Sequence, residues 1–80
     1  MKYYWLLFSA GAQGVILVEA RDEIHAISLS HLLGINPGGD IKVVPIDMST
    51  IPADILAKDA NKLLTVTEAE ELEAILKKLD

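Results

Sequence analysis

The chain has 80 residues, a formal net charge of −5 and no cysteine. This length supports one compact domain and is too short for two separate cores. The lack of cysteine excludes disulfides and thiolate metal sites within the sequence. Seven scattered basic residues in an acidic chain are not typical of a protein that binds the nucleic-acid backbone. Because 51% of the residues are hydrophobic and only 24% are charged, we expect a folded domain stabilised by apolar packing or by association.

All the aromatic rings of the protein lie in residues 2–9, Lys-Tyr-Tyr-Trp-Leu-Leu-Phe-Ser. Side chains alternate between the two faces of a strand, so a strand here places Tyr3 and Trp5 on one face and Tyr4 and Phe8 on the other. Both faces are apolar. This is typical of a central strand covered on both sides by helices or by a second subunit. We therefore predict that the fold is built around this strand.

Two further strands are predicted beside it. Residues 15–18, Val-Ile-Leu-Val, follow a segment with two glycines that suits a hairpin loop, so this strand is expected to run antiparallel to the first. Residues 41–46 form the third strand, which we place at an edge of the sheet because Pro45 has no amide hydrogen. The simplest connection puts strand one between the other two, in the order 2-1-3.

Between the second and third strands, residues 22–33 have a helical pattern that ends before Gly34, a residue suited to a left-handed cap. This helix is apolar on two nearly opposite faces. One face can cover the sheet, and the other then needs a second helix or another chain. The first face contains Ala20, Ile24, Ile27 and His31, and the second contains Ala26, Leu29 and Leu33.

Residues 47–66 give a weaker pattern, which we interpret as an irregular connection. Pro52 suits the first position of a short helix through Lys58, and a loop ending in Leu-Leu at 63–64 is the alternative. Residues 67–79 predict a C-terminal helix, since either Thr65 or Thr67 can cap it with a glutamate three residues later. Its apolar stripe consists of Ala69, Leu72, Leu76 and Leu79.

The predicted fold is therefore α+β, with residues 1–80 in a single domain. Residues 1–46 form a two-layer ββαβ core with a three-stranded sheet, residues 47–66 connect it, and residues 67–79 form the last helix. We expect that the doubly apolar strands and the two-faced first helix need a protein partner or a second copy of the chain.

No pattern in the sequence marks catalytic or cofactor chemistry. His25 and His31 are six residues apart, which places them roughly 120° apart on a helix and prevents them from sharing a metal ion. The pair Gly38-Gly39 is not followed by Lys and Ser or Thr, so it indicates a turn and no phosphate loop. The glutamates between residues 68 and 73 spread around their helix. We predict a protein that is not an enzyme and that binds no cofactor or metal.

The segment Leu-Gly-Ile-Asn-Pro-Gly-Gly-Asp at residues 33–40 lies between a predicted helix and a predicted strand, after an N-terminal hairpin. In this arrangement the chain resembles short uncharacterised proteins of bacteria and their phages. The resemblance covers residues 1 to about 46 and implies a hairpin-helix-strand core. It implies no activity, and it assigns no functional residue to this sequence.

The start of the chain is similar to a short secretion signal, because Lys2 and an apolar run precede Ala10-Gly11-Ala12, which has the form of a cleavage site. Cleavage there would leave a leader shorter than the usual ~15 to 30 residues and would remove the central strand. No apolar run approaches the ~18 residues of a membrane span. We expect a cytoplasmic protein with no membrane contact and no direct binding to nucleic acid.

Two functions remain open at this point. The first is a small protein-interaction module, a homodimer or a domain that docks on a larger protein. The second is an inhibitor, of a kind that phages encode, whose acidic face occupies the basic channel of a nucleic-acid enzyme. Clustering of five carboxylates on one surface would favour the inhibitor: Asp54, Asp59, Glu68, Glu70 and Glu71. The candidate partner-binding residues are Tyr3, Trp5, Leu29, His31 and Leu33.

Overall fold

The computed structural model describes residues 2–8, 14–36 and 39–79. The predicted hairpin loop at 9–13 and two residues of the predicted turn, Pro37 and Gly38, lie outside these ranges. The elements within them, in chain order, are β1 (Lys2–Phe8), β2 (Gly14–Ala20), α1 (Glu23–Leu32), β3 (Ile41–Ile46), α2 (Ala53–Asp59), β4 (Leu63–Leu64) and α3 (Val66–Leu79). The predicted α+β class is confirmed.

The described strands form one sheet with the order β3-β1-β2-β4. On β1, Trp5 pairs with Leu17 of β2 on one side and with Val44 of β3 on the other. Both neighbours run antiparallel to β1, so β2 and β3 are parallel to each other and α1 connects them. The aromatic strand is therefore internal to the sheet, and β3 with Pro45 lies at an edge. The predicted three-stranded sheet is not confirmed, because β4 pairs with Val15 and Ile16 on the far side of β2.

Helices cover both faces of the sheet, which corrects the predicted two-layer arrangement to three layers. One face packs against α1 through a core that includes Tyr4, Phe8 and Ala26. The opposite face packs against α3 through Trp5 and Leu72, and Ile55 of α2 contacts the same core. Phe8 is 4% exposed and Trp5 is 8% exposed in a single copy of the chain. The doubly apolar strands therefore need no second chain to cover them.

Side-chain and backbone caps define both ends of α1. At its start, Asp22 Oδ1 accepts a hydrogen bond of 2.8 Å from the backbone N–H of His25. At its end, Gly34 has φ +69°, its N–H donates to His31 O, and the N–H of Ile35 donates to Ser30 O. This is the Schellman pattern, in which glycine takes the left-handed conformation without steric cost. The predicted glycine cap is confirmed.

The face that α1 turns to the sheet contains Ala26 and Ser30, both buried, with Leu29 half-buried beside them. Ile24 and His31, on the other predicted face, are exposed. Ser30 is the polar member of the buried face. Its hydroxyl donates to Ile27 O at 2.6 Å and accepts from Asn36 Nδ2 at 3.1 Å, so it has partners for both roles.

The segment predicted as an irregular connection contains α2 and β4. Pro52 immediately precedes α2, close to the position that the sequence predicted, and Asp59 ends the helix. Next, Asn61 takes φ +61° and its N–H donates to Leu17 O on β2 at 2.9 Å. β4 then passes close to Gly14, where an added Cβ would lie within 2.9 Å of Leu63 Cγ. Gly14 therefore allows this close approach of the two strands.

α3 begins after Thr65, which resolves the two capping alternatives in favour of that residue. Glu68 N–H donates to Thr65 Oγ1, and Thr65 N–H donates to Glu68 Oε1, both at 3.1 Å. This reciprocal pair is a capping box. Three members of the predicted apolar stripe are buried: Ala69, Leu72 and Leu76. The fourth, Leu79, is 53% exposed at the end of the helix.

Candidate interaction surfaces

The solvent-facing side of α1 has the most exposed large apolar side chains of the described residues. Ile24 is 78% exposed and Leu32 is 81% exposed. Ser28 lies between them and is also exposed. At about 100° per residue, positions separated by four residues follow one stripe along a helix. We call this stripe, made of Ile24, Ser28 and Leu32, the α1 outer face.

The α1 outer face is uncharged and firmly supported. When its two histidines are neutral, α1 has one charged residue, Glu23, in its first turn. Beside the stripe, His31 Nε2 lies 3.3 Å from Asn36 Nδ2. The same Asn36 nitrogen donates to the buried Ser30, so this contact ties the end of the helix to the following loop. The α1 outer face is therefore part of a helix that is held by hydrogen bonds at both ends.

A second apolar feature lies on the opposite side of the sheet, where α3 leaves β3 partly uncovered. Two adjoining depressions of about 280 and 330 Å³ share Trp5, Val44 and Glu73. Leu7, which is 37% exposed, lines one of them, and Ile46 lines the other. We call this feature the α3–β3 groove. Its rim on α3 carries Glu70, Glu73 and Lys77, and the last two form an ion pair of 3.1 Å.

A third depression, of about 290 Å³, lies beside the exposed end of β2. Leu29 and Leu33 line it from the α1 side, and Leu56 lines it from α2. Glu19 and His25 also reach it. It is more polar than the other two features, because Asn61 lines it together with Glu19 and His25. His25 Nδ1 accepts a hydrogen bond of 3.0 Å from the N–H of Arg21.

The structure separates the five predicted partner-binding residues. Tyr3 and Trp5 are 5% and 8% exposed, so they belong to the core beneath α3, with Trp5 at the base of the α3–β3 groove. Leu29 packs partly against the core between α1 and the sheet, whereas Leu33 is 46% exposed. His31 is exposed beside the α1 outer face. A binding role for each of them stays a prediction.

Two residues that the prediction omitted, Ile24 and Leu32, are the most exposed large apolar side chains among the described residues. The signal for them was present in the sequence. α1 covers the sheet with one face, so the apolar residues on its opposite side remain exposed. The small residues Ala26 and Ser30 mark the buried side.

The five carboxylates proposed as an acidic patch all belong to α2 and α3, which pack against the same face of the sheet. On α3, Glu68 and Glu71 lie on one side of the buried stripe and Glu70 lies on the other, toward the α3–β3 groove. The glutamates therefore flank the helix on both sides. Glu68 has a further, local role, since the hydrogen bonds from Thr65 lower the pKa of its carboxyl group.

Within residues 2–8, 14–36 and 39–79, no group of three or more His, Asp or Glu side chains is placed to hold a metal ion. Every buried side-chain nitrogen or oxygen in these ranges has a hydrogen-bond partner. No helix in the described part of the chain combines the length and the apolar character needed to cross a membrane.

No protein-family model matches the chain, and neither curated proteins nor solved structures give a significant match to it.

Proposed function

We propose that this protein is a small, non-enzymatic protein-interaction module that binds through the α1 outer face. The observation that carries the proposal is the exposure of Ile24 and Leu32, at 78% and 81%, on one uncharged stripe. Scattered exposed apolar residues are common on protein surfaces, but two on one stripe with no charge between them are typical of a helix that contacts another protein.

The energy available from this stripe alone supports weak binding. Full burial of an Ile or Leu side chain contributes about 1.5–3 kcal/mol. Association also costs translational and side-chain freedom, so only part of that contribution appears as affinity. A module of this kind therefore binds weakly unless its partner offers contacts beyond the stripe.

The test compares three immobilised proteins: the wild type, the double variant Ile24→Glu/Leu32→Glu, and the control Ile75→Glu. Ile75 is 50% exposed on α3, so the control adds the same charge to a helix on the other side of the sheet. Each is incubated with an extract of the source cells and with a free tagged copy of the protein. Any bound protein is identified by mass spectrometry, and its affinity is then measured with purified components.

We expect the double variant to bind its partner at least about tenfold more weakly than the wild type, because two charges must be desolvated at the contact. The control should keep the wild-type affinity. Circular dichroism of all three proteins checks that they are folded. Equal binding by the wild type and the double variant would contradict the proposal.

An acidic inhibitor of a nucleic-acid enzyme is the second candidate, supported by the exposed glutamates of α3 and by the net charge of −5. Binding through that helix would weaken steeply as salt is raised, whereas binding through the α1 outer face would not. The variant Ile24→Glu/Leu32→Glu also separates the two functions, since it weakens binding through the α1 outer face and leaves an acidic contact through α3 unchanged.

A further inference from the structure

We infer that the partner of the α1 outer face is a second copy of this chain, packed with its α1 antiparallel about a two-fold axis near Ser28. This inference rests on the proposed function and names its partner. The geometry, the charge distribution and the size of the surface each bear on it.

The stripe is self-complementary in its spacing. Ile24 and Leu32 each lie four residues from Ser28, one toward each end of the helix. A two-fold axis beside Ser28 therefore brings Ile24 of one copy toward Leu32 of the other, and this happens twice in the dimer. The small side chain of Ser28 lies at the crossing point, where a close approach of two helices needs a small residue.

The charge distribution favours this face over the other surfaces for an acidic second copy. The chain carries a net charge of −5, so two copies repel each other on average. The α3–β3 groove has Glu70 and Glu73 on its rim, which oppose the approach of another acidic molecule. The α1 outer face has no formal charge. An antiparallel pair also places opposite ends of the two helix dipoles side by side, which is the favourable arrangement.

The edge of β3, the longer of the two edge strands, is another place where two copies could join, and its residues oppose that contact. Pro45 removes a backbone donor from the strand, and Lys42 places a charge on it. Proline and lysine on edge strands are common means of preventing pairing between molecules. The α1 outer face has no residue of this kind.

The size of the surface predicts a weak dimer. A helix of ten residues is about 15 Å long, so the contact is smaller than the roughly 1,200–2,000 Å² of a stable interface. We expect a dissociation constant between about 10 µM and 1 mM. The protein is then a monomer at low concentration and a dimer where it is concentrated, for instance on a larger assembly.

A disulfide across the two-fold axis tests the arrangement directly, because the chain contains no cysteine. Helices packed 8–10 Å apart with Cα atoms about 2.3 Å from each axis leave roughly 3.4–5.4 Å between the closest Cα atoms, and the upper part of this range suits a disulfide. A disulfide needs about 4.4–6.8 Å. The variant Ser28→Cys should therefore form a covalent dimer. The matched control is Ala74→Cys, which is exposed in the middle of α3.

The measurement is the rate of covalent dimer formation at about 200 µM protein under mild oxidation. We expect Ser28→Cys to cross-link at least tenfold faster than Ala74→Cys. Addition of Leu32→Glu to Ser28→Cys should reduce its rate to that of the control. Equal rates for the two cysteine variants would overturn the inference.

Sedimentation of the wild type provides a second measurement that needs no cysteine. A rise in average mass between 10 µM and 1 mM, abolished by Leu32→Glu and kept by Ile75→Glu, supports the two-fold dimer. A monomer at 1 mM overturns it. If the chain is monomeric but binds another purified protein through Ile24 and Leu32, the inference fails and the proposed function stands. If Leu32→Glu changes neither the average mass nor the binding of another protein, both the inference and the proposed function fail.

Discussion

Thr65 and Glu68 show how a few atoms define the start of α3. The two residues exchange hydrogen bonds of 3.1 Å and so satisfy two donors that the first turn of a helix leaves unpaired. The backbone hydrogen bond from Thr65 is the largest cause of the lowered pKa of the Glu68 carboxyl, followed by the bond to the Thr65 side chain. The hydrogen bond from the Thr65 N–H to the Glu68 carboxylate favours the ionised form, so this half of the cap depends on the charge of Glu68.

The pH dependence of the cap has a definite sign. The folded state lowers the pKa of Glu68 below its ordinary value of 4.5, so the cap contributes its full stability above that pH and loses it as the pH falls through the folded pKa. We expect Glu68→Ala to destabilise the protein more at pH 7 than at pH 3. Urea unfolding of both proteins at the two pH values measures the difference. The control Glu71→Ala, on an exposed residue of the same helix, should show a smaller change.

At the scale of elements, α3 holds the Trp5 side of the sheet together. Leu72 is 4% exposed and packs in the same core as Trp5, whereas Ile75 on the same helix is 50% exposed. Truncation of a buried leucine to alanine costs about 2–5 kcal/mol through lost contacts and a residual cavity. Leu72 and Ile75 therefore contribute differently to the free energy of unfolding, although both side chains are large and apolar.

We expect Leu72→Ala to lower the free energy of unfolding by about 2–4 kcal/mol, a large part of the stability of a domain this small. Ile75→Ala should lower it by less than about 1 kcal/mol, since its side chain is half in water. Denaturant unfolding followed by fluorescence suits this comparison, because Trp5 is the only tryptophan and lies beneath α3. Equal losses for the two variants would mean that α3 is not packed as described.

The elements that the sequence predicted are those whose signals are local. The aromatic run of β1, the glycine after α1 and the Thr65 cap each depend on neighbouring residues in the chain. β4 was not predicted because two leucines become a strand only where the exposed side of β2 offers hydrogen bonds. The third layer was not predicted because a doubly apolar strand is equally consistent with helices or with a second subunit.

The candidate surface was predictable only in part, for a related reason. The sequence predicted two apolar faces on this helix, but the structure groups the residues differently, since Ala20 belongs to β2 and Ile27 packs partly against the core. Which face is buried depends on how closely α1 approaches the sheet, and the small residues Ala26 and Ser30 allow that approach. Leu29, a predicted partner-binding residue, is therefore half-buried against the core, and Leu32, which the prediction omitted, is 81% exposed.

At the scale of the whole molecule, the sheet separates a neutral side from an acidic one. α1 has Glu23 as its charged residue, whereas α3 on the opposite side has four glutamates and two lysines. One edge of the sheet, β3, lies between these sides. It carries Pro45 and Lys42, residue types that limit the pairing of edge strands between molecules.

Replacement of both Lys42 and Pro45 should therefore allow two molecules to associate through the edge of β3. In the variant Lys42→Thr/Pro45→Thr, threonine restores the missing donor, removes the charge and favours a strand. We expect self-association that increases with concentration and that persists when Leu32→Glu is added, because it uses β3 in place of α1. Light scattering between 10 µM and 1 mM measures this self-association.

The single variants should associate less than the double variant, since each keeps one protecting residue. If the double variant scatters as the wild type does, Pro45 and Lys42 are not what keeps this edge unpaired, and the preference for α1 as the dimer contact loses one of its supports.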